Sequence, residues 1–167
     1  EEDVLATVAR GAGVTRLFRR ATEMLGDKPA KELHADAQAL LALVHWTWKD
    51  HAAALRAADA ALAIVPAHVH ALGVKGAALR VTGKPREALG DALEPALAAD
   101  PGNFWVLLNR AEALEDMAGD AAQAAWRDLL ARADEKTHDH CPTWIRAAAE
   151  AGLARSRRDR LLQPESA

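Results

Sequence analysis

The sequence predicts an all-α protein built of stacked antiparallel helical hairpins. Three observations carry this expectation. A segment recurs at a period of about 34 residues, the length of one helix–turn–helix unit. Its clearest copies close with Ala61-Leu62 before Pro66 and Ala96-Leu97 before Pro101, and the two prolines stand 35 positions apart. Half of the 167 residues are apolar, many of them Ala and Leu, whereas aromatics make up only 4%. Ala and Leu are strong helix formers, and runs of β-branched residues, which strands favour, are nearly absent.

Composition excludes several function classes. The net charge is −3, from 21 basic and 24 acidic residues. That balance disfavours a protein that coats nucleic acid. The single cysteine, Cys141, cannot form an internal disulfide and leaves the compartment open, cytoplasmic or periplasmic. No apolar run reaches membrane-spanning length, so no membrane insertion is expected. The chain begins with Glu1 rather than Met, which is compatible with removal of a leader or a preceding domain.

In order along the chain, residues 1–34 read as an N-terminal helical cap. The glycines of Gly11-Ala12-Gly13 interrupt it, Val14, Leu17, Phe18, Ala21 and Leu25 follow with helical spacing, and Gly26-Asp27-Lys28-Pro29 is a stop signal. A dense apolar helix is expected at 31–48 and a second at 52–65, joined at Lys49-Asp50-His51 and ended by Pro66. The third, 69–81, ends at Thr82-Gly83-Lys84-Pro85, a glycine cap followed by a proline suited to the first turn of the next helix. That helix, 86–99, contains Pro95 and one extra residue relative to the repeat, so a bulge or break is expected between Ala88 and Ala96. Asn103 is an N-cap for 104–117, and 121–133 completes the third hairpin. A polar loop, 134–141, leads to a last helix at 143–160, within a C-terminal capping segment of 137–162. Residues 163–167 read as a disordered tail.

Residues 35–136 resemble the tetratricopeptide repeat (TPR) family, as about three degenerate copies. Leu41-Ala42, Ala54, Ala58, Ala61 and Pro66 stand at the family positions in the first copy. Gly76, Leu79, Gly83, Ala88, Ala92, Ala96 and Pro101 do so in the second, with one insertion. In the third these are Ala111, Leu114, Gly119, Ala124 and Ala131, again with one insertion and with Lys136 for the closing proline. Gln38, Leu72 and Leu107 stand where the family's first aromatic would be. The resemblance implies a right-handed α-solenoid with terminal capping helices, and alanines such as Ala58 and Ala92 where the two helices of a hairpin cross.

The resemblance also implies a concave groove, lined by the first helices, that binds a protein or peptide. By position the groove residues are Leu43, Trp46, His70, Arg80, Trp105, Asn109 and Glu112, with Asp36, Leu40, Val74, Ala77, Leu108 and Glu115 beside them. Packing between hairpins is the competing role for Trp46 and Trp105. A carboxylate-gripping subclass needs Lys and Asn at set places. Only Asn109 matches, and Ala39, Leu43 and Val74 fall where polar partners are required, so that mode is rejected. The function expected is a non-catalytic adaptor or scaffold with no cofactor. The alternatives are a regulatory or targeting domain of a larger enzyme or of a periplasmic assembly factor, and a scaffold that self-associates through its capping helices.

Other chemistry is weakly represented. His138, His140 and Cys141 could reach one metal ion, but no second His/Cys pair completes a site, and a solvated loop is the expectation. His68-x-His70 spans a turn and a helix start. No phosphate loop, nucleophile elbow or HExxH is present. Arg155, Arg157, Arg158 and Arg160 suit a helix C-terminus, where cations favour the macrodipole.

Overall fold

A computed structural model describes residues 30–118, 121–134 and 143–162. The expected cap over residues 14–25, the loop with His138, His140 and Cys141, and the tail 163–167 lie outside the described residues. The described residues form helices and turns with no strand. They are α1 (Ala30–Thr47), α2 (His51–Ile64), α3 (Val69–Val81), α4, α5 (Phe104–Asp116), α6 (Ala121–Asp134) and α7 (Thr143–Leu162). The α4 helix runs without interruption through Pro85–Ala88, a π-helical turn Leu89–Leu93, and Glu94–Ala99. Helix bounds agree with the expected spans to within two residues.

The π turn is the expected bulge, and its cause is local. Pro95 has no N–H and its ring would crowd the carbonyl four residues back in an α-helix. A π turn holds one extra residue and widens the helix at that point. The Glu94 N–H bonds to the Leu89 carbonyl, five residues back, and the helix continues with Pro95 at its next position. Gly90, Asp91, Glu94 and Pro95 are all exposed, so the disturbed turn faces water.

Helix ends follow from side chains. Asp50 caps α2 by accepting from the Ala53 N–H at 3.0 Å. Asn103 caps α5 by accepting from the Val106 N–H at 3.2 Å, and its own amide donates to Asp100. Pro85 begins α4, and Gly83 adopts φ +81° after α3. There the Lys84 N–H reaches the Leu79 carbonyl and the Gly83 N–H that of Arg80, the paired bonds of a left-handed helix stop. Two other first helices end in the same conformation without glycine, at Lys49 (φ 61°) and Ala118 (φ 53°).

The helices pack in a regular pattern. Within each hairpin the helices are in close contact, α1 on α2, α3 on α4 and α5 on α6. The first helices also touch in succession, α1 to α3 to α5 to α7. Among the described residues, the second helices α2, α4 and α6 make no close backbone approach to one another; each packs instead on the first helix that follows it. First helices thus line one side of the array, the inner layer, and second helices the other.

Small residues set the close approaches. Ala58 and Ala92 are fully buried at the crossings where the repeat pattern puts them. A Cβ on Gly76 would stand 2.5 Å from Leu93 Cγ, so glycine is needed for α3 to meet α4 at this distance. Among the described residues Trp126 is the largest fully buried side chain, and it lies on Gly152 of α7, where a Cβ would overlap its ring. Around it, Leu107, Leu108, Leu129, Ile145 and Ala149 join α5, α6 and α7 in one core.

Candidate functional site

The inner layer carries a cleft of about 440 Å³. Its walls come from Asp36, Ala39, Leu40 and Leu43 on α1, and from His68, Val69, His70 and Val74 at the start of α3. Asn103, Trp105 and Val106 at the start of α5 complete it. No second-helix residue lines it, and the lining is largely apolar. Lying side by side, the N-terminal ends of α3 and α5 bring these groups together.

His68 ties the cleft to α1. It caps α3, its Nδ1 accepting from the Ala71 N–H at 3.3 Å. Because Nδ1 accepts, the ring proton of the neutral imidazole resides on Nε2. Nε2 stands 2.9 Å from Asp36 Oδ1 and donates to it. Both ring nitrogens are therefore engaged, Nδ1 in capping α3 and Nε2 in tying it to α1, leaving neither as a general base. The His70 ring is exposed and lies 6.0 Å from that of His68.

Trp105 forms the floor beside the cleft. Its indole crosses α3 at Gly73, where a Cβ would fall 2.7 Å from Cζ3. It meets Trp46 edge to face at 6.5 Å, and Trp46 packs on His51 at 5.0 Å. Both indoles are half-buried against Ala42, Ala54 and Val74. Each therefore serves the packing between hairpins while keeping part of its surface open.

Toward the other end of the first helices the surface is ionic. Arg80 of α3 pairs with Glu112 at 2.7 Å and Asp116 at 3.3 Å on α5. Glu115 of α5 accepts two bonds from Arg155 of α7, at 3.0 and 2.9 Å. The Arg155 guanidinium also lies 6.0 Å from the Trp126 ring centroid. Burial pushes the Glu112 carboxyl above its usual range; Arg80 opposes this, and Asp116 and Glu115 add to it.

The residues picked from the sequence thus have different surroundings. Leu43, His70 and Trp105 meet at the cleft. Trp46 sits behind it on Trp105. Arg80 and Glu112 are partners of each other. Asn109, expected to project into the groove, is 3% exposed and donates its amide to the Trp105 carbonyl at 2.8 Å, within its own helix. Val74, Ala77 and Leu108 are likewise buried, because adjacent first helices pack shoulder to shoulder and cover these positions. The sequence reading passed over the cleft walls His68, Val69, Asn103 and Val106. Their one signal was position, just before or just inside a first helix.

Among the described residues, no group of three or more His, Cys, Asp or Glu could hold a metal ion. No described helix is long and apolar enough to cross a membrane.

Solved structures with this architecture include the OM64 TPR domain of Arabidopsis, at a TM-score of 0.65 and 17% identity, covering 78% of this chain and 99% of that one. The Sgt2 TPR domain of Aspergillus fumigatus matches at a TM-score of 0.63 and 22% identity, covering 80% of this chain and 86% of that one. Family models give no match, and a search of curated protein sequences gives none either. The fold is that of a TPR solenoid.

Proposed function

We propose that this solenoid is a non-catalytic adaptor that binds a protein or peptide along its inner layer. The observation that carries the reading is the apolar cleft bounded by Leu43, His70 and Trp105, with no second-helix residue in its walls. A cleft of this kind accepts an inserted side chain, and the partly open indole beside it is a residue type that often dominates interface energy. The ionic groups farther along are paired with one another rather than converging on a reacting centre, which supports binding over catalysis.

The test compares faces. A photo-crosslinking residue at Leu43 or His70 should capture a partner from a native extract, and one at Arg86 or Arg127 on the second helices should not. Capture from the second-helix positions alone would overturn the reading.

A second reading, self-association through α7, has one observation in its favour. Trp144 at the start of that helix is 55% exposed. Light scattering of the intact chain and of Trp144→Ser separates it from the first, since a dimer lost in the variant would support self-association.

A further inference from the structure

We infer that His68 is a proton-sensitive latch in the wall of the cleft. Neutral, its ring caps the first turn of α3 and bonds α1; protonated, it keeps the bond to α1 and gives up the cap. The inference adds regulation to the groove reading above and rests on that reading for its use, but the latch itself is tested without a partner.

The geometry defines one protonation state. A backbone N–H can only donate, so the 3.3 Å contact from Ala71 requires a bare Nδ1, and the proton on Nε2 goes to Asp36 at 2.9 Å. A second proton can therefore be added only at Nδ1. Two donors would then point at each other across 3.3 Å, and the cap would turn from attraction to repulsion. The new charge would also stand at the positive end of the α3 dipole, which disfavours cations. The bond to Asp36 gains instead, because both of its partners are then charged.

Ala71 cannot lose its acceptor without consequence. It is fully buried, packed with Ala39 of α1 and Ala61 of α2. A buried N–H left without an acceptor is costly, so the first turn of α3 has to open toward water. The groups around the ring do not offset this. Asp36 faces it from α1, and the His70 ring lies 6.0 Å away on α3 itself. α2 meets this end of α3 through Ala61, and its Asp59 is held by Lys75, about two turns farther along. On the α5 side stands Asn103, bonded to Asp100. Val69 and His70 belong to the turn that opens, and both wall the cleft. The cleft thus keeps its shape only while His68 is neutral.

The experiment follows the intact, nitrogen-15-labelled chain by NMR from about pH 8 to about pH 5, the range in which imidazoles change charge. At the upper end the imidazole spectrum should show His68 with its proton on Nε2. As that ring gains its second proton, protection of the Ala71 amide from exchange, corrected for the intrinsic effect of pH, should fall about fivefold, the weight of one helix cap. His68→Asn should keep the protection and lose the response, because asparagine caps a helix and does not titrate. His70→Asn should keep the response. The latch is overturned by a proton on Nδ1 at the upper end, by a ring that stays neutral throughout, or by Ala71 protection that does not change as His68 titrates. An equal loss of protection in His68→Asn, or a response abolished by His70→Asn, overturns it too. None of these results bears on the groove reading, which stands or falls with crosslinking at constant pH.

Discussion

The Trp105 indole of α5 lies directly on Gly73 of α3, with no room for a Cβ between them: the nearest ring carbon would be 2.7 Å away. Through this gap Trp105 reaches Trp46, so the first and third hairpins touch across the second. The cleft exists beside that contact, and its floor depends on a missing side chain.

Gly73→Ala should therefore displace Trp105. The ring is stiff and its far edge is backed by Trp46, so overpacking should cost about 1–3 kcal/mol. Near-ultraviolet circular dichroism should lose part of its tryptophan signal while helix content is kept. An unchanged spectrum and an unchanged urea midpoint would show that the indole has another place to go.

Trp126 should be the residue on which the end of the solenoid depends. It is fully buried between α6 and α7, with Gly152 against its ring. Trp126→Ala should cost about 3–5 kcal/mol through lost burial and a residual cavity. Gly152→Ala should also destabilise, since a methyl group cannot share that space. Amide exchange should show α7 opening first in both variants. Among the described residues its indole N–H finds no acceptor, so Trp126→Phe should be tolerated better than Trp126→Ala.

Glu112 should make stability fall with rising pH. Its folded pKa lies above the usual value of 4.5 because burial disfavours the charged form. The folded state then holds more protons than the unfolded state in the window above 4.5. The contribution is complete below the unfolded value and is lost as pH rises through the folded one. Denaturation midpoints measured across that window should show the decline in the parent chain and a flatter profile in Glu112→Gln. Arg80→Ala removes the main opposing charge, so carbon NMR should find Glu112 titrating higher still.

Lys49 and Ala118 hold the left-handed backbone that Gly83 takes at the equivalent turn. A Cβ in that conformation costs about 1 kcal/mol. Lys49→Gly and Ala118→Gly should each relieve it, less the added freedom of glycine in the unfolded chain. A rise of a few tenths to about 1 kcal/mol in chemical denaturation is expected. A loss in both would show that something other than the backbone sets these turns.

What the sequence by itself determined is the part governed by local rules. The 34-residue period, the alanines at crossings, the Asn103 and Gly83 caps and the disturbance near Pro95 each follow from a residue's own backbone preference or from its place in a repeat. Hence the helix spans and the hairpin class were legible, as was the burial of Ala58 and Ala92. The site was only half legible, because register says which way a side chain starts out and not what it meets. Leu43, His70 and Trp105 converge because α1, α3 and α5 lie side by side, and His68 joins Asp36 thirty-two residues away. Arg80 was expected to face a partner and instead is held by Glu112 and Asp116, because the first helices come close enough for ion pairs to form between them. Asn109 lost its amide to a backbone carbonyl one turn earlier, since a buried donor must find an acceptor. The burial of Trp126 was decided by tertiary structure for a similar reason, as only the arrival of Gly152 from α7 makes a space flat enough for the indole.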